Sequence, residues 1–410
     1  MYEKLAIEGG MPITKRSWPA FNSIDDSEKT EVMDVLNSGV LSDFTASPGD
    51  KFLGGPKVKA LEKAWSEYFN VPYAISMNSC TSCLYAALLA LNIGKDDEVI
   101  LPQLGMCTIA TVVLLAGAKP IFADCHPKTM LIEPSSIESL ITEKSKAIIA
   151  VHLAGHPAPM HDILKIARKN DLYVIEDNAQ SPGALYNGMY TGAIGDIGCF
   201  SLNCHKIIQC GEGGVACTHN SEIALKLQLI RNHGEKCISG FGLEKLNVLG
   251  LNLRLTELQA AVAIHQLAKL QDLNFKTCEL AKYLTDNLKF KEISPPTVEK
   301  NCTHVYYIFH WEYIANEIGI SAALFAKALQ HEGVPVYANY GYLISELPSF
   351  RHLQKRNNLN DAFPGACYAI KNSLWTMILR PNLTIKDVDT LIKAIKKVFD
   401  KRDSIISNEK

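Results

Sequence analysis

The chain has 410 residues, more than one ordinary domain holds, and reads as one large domain plus a smaller one. Apolar residues make up 47% and charged residues 20%, an ordinary balance for a globular chain able to bury a large core. The 41 basic and 43 acidic residues leave a net charge of -2, which gives no support to a basic nucleic-acid surface. No apolar run reaches the roughly 18 residues that span a bilayer, and the longest, 105–118, is interrupted by Thr108 and Thr111. Met1-Tyr2-Glu3-Lys4 does not begin a charged-then-apolar leader, which argues against a secretory signal. The 12 cysteines are scattered from Cys80 to Cys367 without paired zinc spacing. They read as buried, reduced thiols of a cytoplasmic protein, with Cys80 and Cys83 as the one pair at redox-motif spacing.

In chain order, the first 30 residues are irregular, hold Pro12, Trp18 and Pro19, and read as an N-terminal arm. An amphipathic helix is expected at 27–38, and a second from Val58 to Phe69 after Gly54-Gly55-Pro56. From 73 to about 235 the pattern alternates. Short apolar runs at Tyr73–Met77, Glu98–Leu101, Pro120–Phe122, Ala147–His152, Tyr173–Glu176 and Gly198–Leu202 read as strands. Helical stretches fall between them at Thr81–Leu91, Ile109–Ala116, Pro134–Ile141 and Asp162–Lys169. This alternation predicts an α/β fold, a three-layer α/β/α large domain with a mostly parallel sheet. Long helices are expected at 221–232 and 255–272, and a smaller C-terminal α+β domain from about 275, closing on a helix near 385–400. The expected division is 1–30 arm, 31–272 large domain and 273–410 small domain.

Ligands of an open parallel sheet bind at the carboxyl ends of its strands. After Tyr73–Met77 comes Asn78-Ser79-Cys80-Thr81-Ser82, a small polar turn opening a helix, which suits an anion and equally an ordinary N-cap. After Tyr173–Glu176 comes Asp177, a strand-end acid. After Gly198–Leu202 come Lys206 and the turn Gly211-Glu212-Gly213-Gly214. Each feature alone has a bland reading: a cap, a solvated lysine, a hairpin turn. Together, in this order, they meet the needs of pyridoxal phosphate: an anion site, an acid to keep the ring nitrogen protonated, and a lysine to hold the aldehyde as a Schiff base.

Longer stretches carry a resemblance: Gly55-Pro56-Lys57-Val58, Ile175-Glu176-Asp177-Asn178-Ala179-Gln180, Gly195-Asp196-Ile197-Gly198, Phe200-Ser201 through Lys206, Arg231-Asn232-His233-Gly234 and Gly250-Leu251-Asn252-Leu253-Arg254. In order and spacing the chain resembles the DegT family of sugar aminotransferases, within the aspartate-aminotransferase-like, fold type I pyridoxal-phosphate enzymes. The resemblance implies that Lys206 is the catalytic lysine and proton carrier, that Asp177 pairs with the ring nitrogen and that Gln180 hydrogen-bonds the ring hydroxyl. It implies that Ser201, Cys80 and Thr81 bind the phosphate, and that Asn252 reaches the phosphate in a neighbouring subunit, hence a homodimer with composite sites. Glu212, His233 and Arg254 lie in family motifs without an assigned role.

Three departures stand at the cofactor or substrate wall. Cys80 replaces the glycine usual in the phosphate turn, Met106 stands where the family places an aromatic ring against the cofactor, preceded by Gly105 and not threonine, and Leu253 replaces a tyrosine. The implied reaction moves an amino group from L-glutamate or glutamine to a ketone of a nucleotide-linked sugar, for surface polysaccharide such as lipopolysaccharide or for glycosides. A cyclitol ketone is the alternative acceptor. Dehydratases of the same fold replace the lysine with histidine, and His205 directly precedes Lys206, but the spacing from Phe200 to Gly211 puts Lys206 at the family position. A cofactor-binding regulator lacks a helix-turn-helix or basic patch, and a nicotinamide dehydrogenase lacks Gly-x-Gly-x-x-Gly after the first strand. Neither a metal nor a membrane partner is expected. Sugar contacts are expected from residues around Tyr337–Tyr342 and the 235–250 loop.

Overall fold

The computed structural model describes residues 4–47, 49–234, 248–353 and 358–406. Strands β1 (Tyr73–Met77), β2 (Glu98–Pro102), β3 (Lys119–Ala123), β4 (Ser145–Val151), β5 (Tyr173–Asp177), the short hairpin β6–β7 (Leu185–Tyr186, Met189–Tyr190), β8 (Ile197–Ser201) and β9 (Gly214–Thr218) follow in sequence. Seven of them form one sheet in the order β1-β9-β8-β5-β4-β2-β3. Every pairing is parallel except those of β9, which runs against both β1 and β8. The mostly parallel α/β expectation is therefore met. Every residue of β2, β8 and β9 is buried, as continuous apolar runs covered on both faces require.

Helices α1 (Asp26–Ser38), α2 (Pro56–Phe69), α3 (Cys80–Ala90), α4 (Thr108–Leu115), α5 (Pro134–Leu140), α6 (Met160–Lys169), α7 (Ser221–Arg231) and α8 (Glu257–Asn287) complete the first part of the chain. In α6, buried Met160, Ile163, Ile166 and Ala167 recur at helical spacing and face the sheet, while Arg168 and Lys169 close the last turn. Helix α8 starts on a capping box, Thr256 with Gln259. It runs 31 residues, about 46 Å, well past the expected end at 272. Its first half (Ala260, Ala263, Leu267, Leu270) packs with Trp65, Phe69 and Phe200. Its second half (Leu280, Ala281, Leu284) joins a separate core with Phe309, Trp311, Phe325 and Leu391.

That second core belongs to an antiparallel sheet, order β10-β11-β13-β12, of β10 (Ile293–Ser294), β11 (Phe309–Tyr313), β12 (Tyr337–Ala338) and β13 (Ser373–Thr376). Helices α9 (Ala315–Ile318), α10 (Ala322–His331), α13 (Ile385–Asp400) and α14 (Arg402–Ile406) pack in that core, whereas α11 (Leu359–Ala362) and α12 (Pro364–Lys371) turn Leu359, Ala366 and Ala369 to the core of the large sheet. The segment 4–25 is irregular, as expected, yet it is fixed. Glu332, fully buried, accepts from the backbone N–H groups of Ala6 (2.8 Å) and Ile13 (3.0 Å) and pairs with buried Lys397 at 2.8 Å. Lys397 also donates to the Met11 carbonyl at 2.7 Å, and Trp18 Nε1 donates to the Gly333 carbonyl at 2.7 Å.

Removing one member of such a pair leaves an uncompensated buried charge. Glu332→Ala is expected to lower stability by about 3–5 kcal/mol, read as a shift in the urea midpoint. The same variant should release the arm to limited proteolysis, while Glu138→Ala, which breaks an exposed pair with Lys169, should move the midpoint by less than about 1 kcal/mol.

Candidate active site

The carboxyl ends of β1, β4, β5 and β8 converge. Asp177, the last residue of β5, is only 6% exposed. Its Oδ1 accepts from the Ala179 N–H at 3.1 Å, and its other oxygen has no donor among the described residues. Burial pushes its pKa up, and the Ala179 N–H, the Lys206 charge and His152 oppose that rise without cancelling it. Lys206 Nζ lies 3.4 Å from the Tyr307 hydroxyl and 4.5 Å from the centre of that ring. The Cys80 thiol, in the first turn of α3, is raised by burial first and then by Asp177, with Lys206 acting the other way. Cys80, Asp177 and Lys206 therefore share one site. The side chain of His205 is exposed.

Ser79 caps α3, its Oγ accepting from the Ser82 N–H at 3.1 Å. The N–H groups of Cys80 and Thr81 have no acceptor within the helix. Ser201, at the end of β8, stands opposite Gly214 in register. A Cβ on Gly214 would lie 2.5 Å from the Ser79 carbonyl carbon and 2.6 Å from the Cys80 nitrogen, so the absent side chain is what lets β9 press against the helix start. This turn, with Thr81 exposed beside it and Ser201 adjacent, has the composition of an anion site.

Gln180 Oε1 accepts from the Ala154 N–H at 2.7 Å, and its side chain also hydrogen-bonds Tyr340. Met106 is 55% exposed beyond the end of β2, with no hydrogen bond from its side chain to the acid–lysine site. Asn252 is exposed, bridged through its backbone to Asn232, and its Oδ1 accepts from the Arg254 N–H at 3.4 Å. Of the residues without an assigned role, Glu212 accepts from Asn203 Nδ2 at 2.8 Å and Arg254 hydrogen-bonds His233. Residues 235–247 of the expected sugar loop lie outside the described residues. In the Tyr337–Tyr342 segment, Tyr340 is the one tied to a site residue, through Gln180. Cys80 and Cys83 are both buried with their thiols pushed well up by burial, so they are inert thiols in place of a redox pair.

Four residues escaped the sequence reading. Glu176 is fully buried and accepts from His152 Nε2 (2.8 Å), Gly192 N (2.8 Å), Ile194 N (2.8 Å) and Gly195 N (2.6 Å). His152 Nδ1 accepts from the Ala158 N–H at 2.9 Å, which assigns its proton to Nε2. Both residues stand at strand ends, a position that flags them in the sequence. Tyr307, just before β11, and Arg380, just after β13, come from the part of the chain that forms the antiparallel sheet. Their segment is brought in at Gly155 (φ +106), where a Cβ would lie 2.7 Å from the Tyr306 nitrogen and 2.8 Å from the Tyr307 nitrogen. Val305 N donates to the Gly155 carbonyl and Ile308 N to the Ala154 carbonyl. A cavity of about 720 Å³ lined by Glu133, Lys165 and Glu299 lies elsewhere and includes none of these groups.

A model of the DegT/DnrJ/EryC1/StrS aminotransferase family matches residues 24–396. The chain belongs to that family. It is 34% identical over 386 residues to an uncharacterized protein of Methanocaldococcus jannaschii, covering 92% of this chain and 95% of that one. It is 30% identical over 391 residues to the spore coat polysaccharide biosynthesis protein SpsC of Bacillus subtilis, covering 93% and 96%. The X-ray structure of the aminotransferase from Psychrobacter cryohalolentis superposes with a TM-score of 0.84 at 30% identity, covering 94% of this chain and 99% of that one.

As a DegT-family aminotransferase the chain is a pyridoxal-phosphate enzyme. The site fits that cofactor on its own terms. The oxygen of Asp177 without a donor calls for a positively charged N–H, and the free N–H groups of α3 call for an anion.

The Glu176 network gives a pH dependence. Burial alone would raise Glu176, but the His152 hydrogen bond and the N–H groups of Gly195 and Gly192 outweigh it and hold the carboxyl below its ordinary value. A depressed folded pKa contributes stability above the unfolded value, about 4.3, and that contribution is lost as pH falls through the folded value. Glu176→Gln is expected to be about 1–3 kcal/mol less stable at pH 7, because an amide N–H then faces backbone donors. The gap to wild type should narrow below the ordinary carboxylate range, measured by urea melts across pH.

Proposed function

We propose that this enzyme transfers the amino group of L-glutamate or glutamine to the ketone of a nucleotide-linked sugar, in the cytoplasm, for amino-sugar and surface-polysaccharide synthesis. The observation that carries the reading is Lys206, with Asp177 and the α3 N-terminus in the same site. The name of the Bacillus subtilis relative, a spore coat polysaccharide protein, supports a sugar acceptor. The exposed side chain of His205 favours amino transfer over dehydration.

When bound, pyridoxal phosphate supplies an electron sink for the amino donor's α-carbon and carries the amino group between substrates. Lys206 would hold it, and the same Nζ, once free, would be the base that takes the proton of the donor's α-carbon. The Tyr307 hydroxyl, 3.4 Å away, orients that amine. Asp177, ionised, holds the proton on the ring nitrogen; the charge it faces offsets the burial that raises its pKa. Gln180 is positioned by Ala154 to meet the ring hydroxyl. Cys80, Thr81 and Ser201 would hold the phosphate, and Met106 would pack against the ring. Asn252 reaches the phosphate in a second subunit, in a homodimer with composite sites. The exposed apolar side chains Leu41, Leu249 and Leu251 support that pairing.

Lys206→Ala is expected to abolish turnover and the visible absorbance of the holoenzyme while leaving the far-UV circular dichroism unchanged. Incubating wild type with glutamate and a panel of keto sugars and cyclitols, and following 2-oxoglutarate release, identifies the acceptor; release with no nucleotide-linked sugar would defeat the acceptor assignment. Gly214→Val should push β9 off the helix start and weaken pyridoxal-phosphate affinity roughly tenfold or more, read by absorbance titration of the apoenzyme.

A further inference from the structure

Gln266 interrupts the apolar stripe of α8, one residue before buried Leu267, and is itself fully buried. A carboxamide is costly to bury unless its donors and acceptors are met. Here they are. Oε1 accepts from Ser23 Oγ at 2.6 Å and from the Gln209 N–H at 3.3 Å. Nε2 donates to the Ser23 carbonyl at 3.1 Å and to Glu28 Oε1 at 2.6 Å. One side chain thus joins the N-terminal segment, α1 and the loop that carries Lys206.

These partners do not depend on it equally. Glu28, 1% exposed, also pairs with Lys269 at 2.6 Å and accepts from the Asp25 N–H at 2.9 Å. The Ser23 carbonyl also accepts from Lys269 Nζ at 3.1 Å. The Gln209 N–H has no other acceptor among the described residues. Without Gln266 the N-terminal segment keeps its contacts with Lys269, and the loop loses its tie to α8.

That loop is closed at its base, where the Leu202 N–H donates to the Gly213 carbonyl and the Cys204 N–H to the Gly211 carbonyl, each at 2.9 Å. On the ascending side the Lys206 N–H donates to the Asn203 carbonyl at 2.9 Å. On the descending side Gln209 Oε1 accepts from the Gly211 N–H at 2.8 Å. Ile207 and Ile208 pack in the core that holds Leu267 and Leu270 of α8. Apolar packing of this kind is non-directional. The directional bond from Gln209 to Gln266 is what sets where along α8 the loop sits. Lys206 therefore lies between a backbone tie to Asn203 and a backbone tie at Gln209.

We propose that Gln266 is a positioning residue for the reaction: by holding the Gln209 N–H it fixes the backbone from which Lys206 reaches the donor's α-carbon. This rests on the reading of Lys206 as the base. A base must come within hydrogen-bond reach of the proton it takes, and a misplacement of about 1 Å can cost about a hundredfold in rate. A glutamine that only filled the core would affect stability and leave that step alone.

The test compares holoenzymes of wild type, Gln266→Met, Gln266→Asn and Lys269→Met, assayed well below their melting temperatures. Methionine fills the volume without an acceptor, and asparagine withdraws the amide by one methylene, so either variant suffices where the other folds poorly. Lys269→Met removes the pair with Glu28 and leaves Gln266 intact. Both Gln266 variants are expected to lose about tenfold to a hundredfold in kcat, with little change in KM for L-glutamate. The deuterium isotope effect on kcat with α-deuterated glutamate should rise, because proton removal by a displaced Lys206 becomes the slow step. Lys269→Met should lower the melting temperature at least as far and keep the wild-type kcat and isotope effect. Gln266 variants with a lower melting temperature but wild-type kcat and isotope effect would overturn the proposal. An equal loss of kcat in Lys269→Met would overturn it as well, by assigning the effect to the docking of the N-terminal segment. Lys206→Ala, run alongside, separates the two readings. Turnover by that variant defeats the lysine assignment and the positioning role with it, whereas an inactive Lys206→Ala beside fully active Gln266 variants defeats the positioning role alone.

Discussion

Asp177 is a carboxylate held at the end of a central strand, nearly buried, with one of its oxygens lacking a donor among the described residues. Burial of that kind is tolerated only where opposite charge is fixed nearby. The fold meets the condition with Lys206, which follows β8 and is carried past the neighbouring strand end, while His152, following β4 on the other side, hydrogen-bonds Glu176. Glu176, one residue earlier on β5, points to the other face and ties His152 to the loop 192–195 with four hydrogen bonds. The strand that presents the acid is thereby locked in position, and so is the loop leading into β8. A cofactor with a protonated ring nitrogen completes an electrostatic arrangement that the protein has already assembled.

The second half of the site comes from far along the chain. The 305–308 segment adds to the turn at Ala154 and Gly155, and delivers Tyr307 to Lys206. Two non-glycine residues at this junction, Ala154 and Tyr306, hold left-handed backbone (φ 59 and 52), a conformation that persists only where surrounding contacts over-determine it. Ala154 is also the residue whose N–H fixes Gln180. The placing of Gln180 and of the 305–308 segment is therefore set by the same few peptide units.

Much of this was legible in the sequence. Buried strands announced themselves as continuous apolar runs, and their ends differ from expectation by a residue or two, where helix and strand termini fray. Lys206, Asp177 and the Ser79–Thr81 turn were readable because a parallel sheet puts every strand's carboxyl end at one edge. Strand β9 was hidden because its first residue, Gly214, belongs to a glycine-rich stretch that reads as a turn. The second half of α8 was hidden because its buried stripe passes through Asn274 and Thr277 before it becomes apolar again at Leu280. Tyr307 and Arg380 left no signal: an aromatic and an arginine more than a hundred residues past Lys206 are ordinary until the fold places both near that lysine.

Helix α8 contains neither glycine nor proline between Glu257 and Asn287, and its two halves are embedded in different cores. Kinks require such residues or an inserted group, so this helix behaves as a rigid axle with a bearing at each end. Swinging one core about the other would have to tear leucines out of one bearing. Opening and shutting of the reaction chamber must then fall to segments lighter than a domain: side-chain rotation and loop motion at the rim, with the two cores riding together.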